Sequence, residues 1–214
     1  MSPRPRLTDE ETGEHAHQLV EATFRVIAAT GDADPPVRPI LREAGLSRQV
    51  LYRCFGSKDE LMAAVFAEGQ QLLTDYLAAR LARAGTSEAK VRAWITGVMR
   101  QAEVERAAER TRPFVVSLGQ RGAVNPAALA ESQRLYTRLL TEAIVAGRRD
   151  GSWESSDPES DATIIHDYVV ASLSRHLLLG IPPAREATQA LVDFARRALS
   201  TSAAPYASAE MRSR

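Results

Sequence analysis

Apolar side chains recur at spacings of three to five residues along almost the whole chain, and Gly or Pro interrupts each run. That period belongs to helices that bury one face. No stretch alternates polar and apolar residues as a half-buried strand does. The expected fold is all-α, with about nine helices. A first helix over 11–30 closes at Gly31, and DADPP breaks the chain after it. The next helix starts near Pro36, because Pro39 is tolerated only in a first turn, and it ends at Gly45. Ser47 is placed to cap RQVLYRCF, which stops at Gly56, and Ser57 with Glu60 resembles a capping box for a long helix to about Arg83. Further helices are expected over 87–107, over a kinked piece at 110–118 containing Pro113, from an Asn125 cap to about 146, over 161–179 and over 185–199. Residues 1–10 and 201–214, rich in Ser, Ala, Pro and Arg, read as disordered ends.

Composition removes several function classes. The 214 residues carry 27 basic and 27 acidic side chains, and one cysteine excludes both an internal disulfide framework and a multi-cysteine metal cluster. The N-terminus MSPRPRLTDEETGE has no apolar h-region, and no apolar run approaches the roughly 20 residues that span a bilayer. A cytoplasmic protein is expected. His15 and His17 face different ways on a helix, His166 and His176 lie far apart on another, and no metal site is expected from them. Without a defensible Ser/His/Asp spacing, a Glu-x-x-His pair or a phosphate loop, neither catalysis nor a cofactor is expected.

A net charge of zero argues against nucleic acid until it is counted by segment. Residues 1–36 hold three basic and seven acidic side chains, residues 37–58 hold five basic (Arg38, Arg42, Arg48, Arg53, Lys58) against Glu43 alone, and the remainder holds 19 of each. The positive window contains two short helices joined by Ala44-Gly45-Leu46-Ser47, the layout of a helix-turn-helix whose turn needs a glycine at positive φ. Leu51 and Phe55 are four apart and share the face to be buried. The opposite face then offers Arg48, Gln49, Tyr52 and Arg53. Arg can pair bidentately with guanine, Gln with adenine, and Tyr can donate to phosphate. Backbone N–H groups at the start of this helix, with Ser47, point at the same ligand, and Arg38 and Lys58 are placed to meet the phosphate backbone. A solvated helix face is the plainer reading of each residue alone. Cys54 admits two readings, a redox-sensing thiol beside Arg53 or a small half-buried side chain.

The stretch from Ile40 to Val65 resembles the N-terminal domain of TetR-family transcriptional regulators, through Ile40, Ala44-Gly45-Leu46-Ser47, Leu51-Tyr52, Phe55, Lys58, Leu61 and Val65. By motif the resemblance covers about residues 15–66. It implies a three-helix DNA-binding domain at 11–57 and a C-terminal effector-binding and dimerisation domain at 58–200. It further implies a homodimer through helices at about 158–180 and 184–200, and a repressor that binds a palindromic operator until a small-molecule effector releases it. Trp94, Met99, Phe114, Tyr136 and His166 are the large side chains available to line an effector pocket, although such residues also make an ordinary core. Arg110 and Arg112 would suit an anionic effector or simply the surface. The chain departs from the family pattern where Pro35 and Pro36 replace the Thr or Ser that opens the second helix, at Gln49, often Gly, and at Cys54, often His. These departures point to an altered operator preference. The alternative is a helical ligand-binding or interaction protein of the same fold that has lost sequence-specific DNA binding.

Overall fold

Nine helices follow one another, with no strand, among the residues described by the computed structural model. Those residues are 9–118 and 126–200, without the side chains at 117, 118, 126–129 and 131–133. The Asn125 cap and the expected disorder of 1–8 and 201–214 lie outside them. The helices are α1 Asp9–Thr30, α2 Val37–Ala44, α3 Arg48–Phe55, α4 Lys58–Ala82, α5 Ser87–Glu103, α6 Glu105–Leu118, α7 Pro126–Arg149, α8 Pro158–Leu179 and α9 Arg185–Leu199.

Boundaries differ from expectation at four places, each with a local cause. Helix α1 starts at Asp9 because Asp9, Glu10 and Glu11 fill a first turn whose free N–H groups favour negative charge. Helix α5 stops at Glu103, four residues early. The N–H groups of Ala107 and Ala108 turn back to the Val104 carbonyl, both at 2.9 Å, and start α6 there, with Pro113 inside it. Helix α7 runs on to Arg149, where basic residues suit a last turn, and α8 begins at Pro158, whose missing N–H costs nothing in a first turn.

The chain divides into two compact units. The first comprises Met1–Asp75, Gln101–Ser132 and Ser174–Pro182; the second comprises Tyr76–Arg100, Gln133–Leu173 and Pro183–Arg214. In the first, Leu19, Val20, Phe24 and Ile27 of α1 share one core with Ile40 of α2, Leu51 of α3, and Leu61 and Val65 of α4. Phe114 of α6 packs against that core, its ring edge-on to Phe24 at 6.4 Å. Arg110 stacks over Phe24 at 5.2 Å, and Arg112 Nε donates to the Leu177 carbonyl at 3.0 Å. Both arginines therefore make structural contacts.

In the second unit, Arg80 of α4 donates to the Ala93 carbonyl and the Thr96 hydroxyl of α5, and Gly97 lets the two helices approach closely there. Asp150 accepts from the hydroxyls of Ser152 and Ser87, which lowers its carboxyl below the usual range and ties the end of α7 to the start of α5. The buried Trp153 indole lies directly on the α7 backbone at Gly147, where a Cβ would overlap ring atoms Cδ1 and Nε1. The carbonyl of Gly147 accepts from Ser152 and Trp153 N–H, and Glu154 N–H donates to Leu199, so this loop is pinned from both ends.

Gly147→Ala is expected to cost about 1–3 kcal/mol through overpacking. Gly85→Ala, whose added Cβ meets nothing within 4 Å, is expected to be nearly neutral. Urea denaturation of the two variants checks the contrast; equal midpoints would show that Trp153 is not seated on Gly147.

Candidate nucleic-acid interface

The turn between α2 and α3 is built from local chemistry. Gly45 takes φ +66° and ψ +21°, a left-handed conformation costing an L-residue roughly 1–2 kcal/mol, and Leu46 N–H closes the turn on the Leu41 carbonyl at 3.1 Å. Ser47 Oγ accepts from Val50 N–H at 3.3 Å and caps α3. Ser57 Oγ accepts from Glu60 N–H at 3.1 Å and opens α4 in the same way. Pro36 precedes α2 at φ −58° and ψ 149° with no side-chain cap, and Pro35 beside it is buried.

Ile40 and Leu51 are fully buried while Phe55 is half-buried, so α2 and α3 are seated through these side chains. Arg38, Ser47, Arg48, Gln49, Tyr52 and Arg53 are all exposed. Arg48 Nη2 donates to Tyr52 Oη at 3.2 Å, and its guanidinium lies 5.5 Å from the ring centroid. The two side chains one turn apart thus hold each other on the outer face.

Two ion pairs adjust the charge of this surface. Glu43, the single acid of the 37–58 window, accepts from Arg25 Nε at 2.7 Å and so faces α1. Lys58 Nζ lies 2.7 Å from Asp34 Oδ1 and 3.0 Å from the Asp34 carbonyl oxygen, which anchors the loop leading into α2. Neither pair is visible in sequence, since the partners are separated by 18 and 24 residues in irregular register. Cys54 is half-buried, its Sγ 3.6 Å from the Thr12 carbonyl oxygen. Burial raises its thiol above the ordinary value and outweighs the lowering by Arg53.

The five large side chains considered for an effector divide between the two units. Trp94, Tyr136 and His166 meet in the second unit, Met99 is fully buried in the same unit, and Phe114 belongs to the first unit's core.

The family model described as "Bacterial regulatory proteins, tetR family" matches residues 19–65. Residues 19–65 are a tetR-family domain. The stretch holds most of α1, the whole helix-turn-helix and the start of α4. HTH-type transcriptional regulator PksA of Bacillus subtilis (strain 168) is 38% identical over 71 residues, a match spanning 33% of this chain and 34% of that protein. The likeness to solved structures runs further. A putative transcriptional regulator from Pseudomonas aeruginosa PAO1 covers 91% of this chain and 96% of its own, with TM-score 0.67 at 21% identity. The regulator FadR from Bacillus subtilis, solved with stearoyl-CoA, covers 87% and 98%, with TM-score 0.66 at 17% identity. RolR, solved with resorcinol, covers 92% and 93%, with TM-score 0.63 at 15% identity. At these identities the likeness is one of fold: residues 19–65 match the tetR-family model, and most of the chain shares an all-α fold with these structures.

With its pKa raised, Cys54 is a neutral thiol at pH 7. Iodoacetamide is expected to alkylate it more slowly in the folded protein than in urea, with the rate rising as pH climbs past the ordinary thiol range. Faster reaction in the folded protein would restore the redox-sensor reading.

Proposed function

We propose that this protein is a ligand-responsive transcriptional repressor that binds a palindromic operator as a dimer and releases it on binding a small-molecule effector. The observation carrying the reading is a tetR-family domain in which α3 buries Leu51 and exposes Arg48, Gln49, Tyr52 and Arg53. Arg and Gln suit base edges in a major groove, while Arg38, the Ser47 hydroxyl and the Tyr52 hydroxyl suit phosphate. Lys58 serves the interface first by holding Asp34, and phosphate competes with that carboxylate for the same ammonium. The functional division is a DNA-binding part at 11–57 and an effector and dimerisation part at 58–200. No catalysis or cofactor enters this reading. A cytoplasmic location fits it, and no described helix is long and apolar enough to cross a membrane.

Dimerisation is assigned to α8 and α9. Ile164 and Tyr168 of α8 are 56% and 52% exposed, Phe194 of α9 is 38% exposed, and the Tyr168 and Phe194 rings lie 5.1 Å apart. Apolar side chains grouped at a surface in this way are what a partner helix would cover. Two such subunits would set their α3 helices in successive major grooves, about 34–36 Å apart. An effector with higher affinity for a conformer of different spacing then lowers operator affinity by that differential. Since similar folds were solved with ligands as unlike as stearoyl-CoA and resorcinol, the effector has to be read from this chain's own side chains.

Fluorescence anisotropy against the DNA upstream of the protein's own gene is expected to show salt-sensitive, sequence-preferring binding. Arg48→Ala should weaken it by about 1–3 kcal/mol with an unchanged melting temperature. Absence of any sequence preference would favour the interaction-protein alternative; an equal loss of stability would make Arg48 a structural residue. In sedimentation, Tyr168→Glu with Phe194→Glu is expected to turn a dimer into a monomer. A dimer that persists overturns the α8–α9 assignment.

A further inference from the structure

Trp94, Tyr136 and His166 come from α5, α7 and α8 and meet inside the second unit. The Trp94 indole N–H donates to the Tyr136 carbonyl at 3.1 Å. The His166 ring lies 6.0 Å from the Trp94 ring and 6.5 Å from the Tyr136 ring, tilted only 20° from the latter. Trp94 and His166 are buried. Tyr136 Oη is shut off from solvent and has no hydrogen-bond partner among the described residues. Native interiors rarely leave a buried hydroxyl in that state, because the lost hydration is not replaced. Burial also drives the phenol's pKa far above its ordinary value, so the hydroxyl keeps its proton and remains a donor. On the other side, His166 Nδ1 lies 2.9 Å from the Asp167 carboxylate. A carboxylate only accepts, so Nδ1 carries the proton. The carboxylate itself is 62% exposed, so it adds only a screened negative charge, and no basic side chain is shown against the cluster to hold an anionic occupant among the described residues.

We propose that Tyr136 is the polar anchor of a small-molecule site framed by Trp94 and His166, selective for a neutral, planar aromatic compound bearing an oxygen acceptor. The oxygen accepts from Tyr136 Oη, and the ring lies against the indole and imidazole faces. Met99 belongs to the same unit's buried core, and Phe114 has no part in the site. The inference rests on the effector reading above and sharpens it to one chemical class.

The test uses the full chain with three probes of one ring size: phenol, toluene and benzoate. Titration calorimetry is expected to show phenol binding about tenfold more tightly than toluene, the worth of one buried hydrogen bond, with benzoate weakest. Tyr136→Phe should abolish the preference for phenol over toluene, while circular dichroism and the melting temperature show an intact helical fold. If that variant fails to fold, the order of the three probes on the unaltered protein decides. Equal affinities for phenol and toluene, a preference unchanged in Tyr136→Phe, tightest binding by benzoate, or no binding at all would each overturn the site. Operator anisotropy separates the two readings. Tyr136-dependent phenol binding that leaves operator affinity unchanged upholds the site and overturns the regulatory role. Release of DNA by toluene and phenol alike, in both proteins, upholds regulation and overturns the role of Tyr136.

Discussion

The outer face of α3 depends on the burial of its inner one. Helices α2 and α3 have eight residues each, below the roughly 12–15 at which an isolated helix becomes even marginal in water. Their stability comes from Ile40 and Leu51, fully buried against Leu19, Phe24 and Ile27 of α1 and Leu61 and Val65 of α4. The exposed outer face has little packing of its own to keep, so its composition is free to vary without loss of the fold. On the proposed function, Ile40 and Leu51 are the positions where a change in stability and a change in DNA binding would travel together, whereas Arg48 and Arg53 would separate them.

The electrostatics are equally local. With no net charge, the chain as a whole gives DNA little long-range attraction, and screening confines steering to about a Debye length, near 8 Å at physiological salt. Within that range the window 37–58 is more positive outward than its formal count, because Arg25 engages Glu43 on the α1 side. The opposite correction applies at Lys58, whose charge is shared with Asp34. The pair contributes little as an exposed ion pair but fixes the loop that aims α2. Arg48 is the better-prepared side chain: its stacking on Tyr52 removes rotamer freedom in advance, which would lower the entropy cost of the proposed DNA contact.

What was legible in the sequence divides by range of interaction. The Gly45 turn, the Ser47 and Ser57 caps, and the opposed faces of α3 involve residues within about five positions of one another, and each has a residue-level signature. The split of α5 from α6 at Val104 had none, since Pro113, the visible breaker, lies inside α6. Pairings across the chain were silent as well. Nothing in spacing marks Asp34 for Lys58, and nothing distinguishes Phe114, which joins the α1 core, from Tyr136, which joins Trp94 and His166. All are large aromatic residues on amphipathic helices, and only the three-dimensional packing assigns them to different units.

The two ends of the proposed switch also advertise themselves differently. An exposed reading face is satisfied by water when free, so its side chains show no deficit and only exposure, charge and motif single them out. A buried binding site has no such reserve. Its polar group either finds a protein partner or stays unmet until a ligand enters. Trp153 Nε1 and Ser155 Oγ are also buried without partners among the described residues, yet Trp153 is pressed onto the α7 backbone at Gly147 and its neighbours are pinned to α7 and α9. That packing leaves no room for a ring-sized guest beside Gly147. Tyr136 differs in that its ring stacks on the His166 side chain of α8, while the Trp94 indole of α5 bonds its backbone carbonyl. Of these three second-unit groups, the unmet hydroxyl at Tyr136 is therefore the one whose surroundings can adapt to a planar ligand.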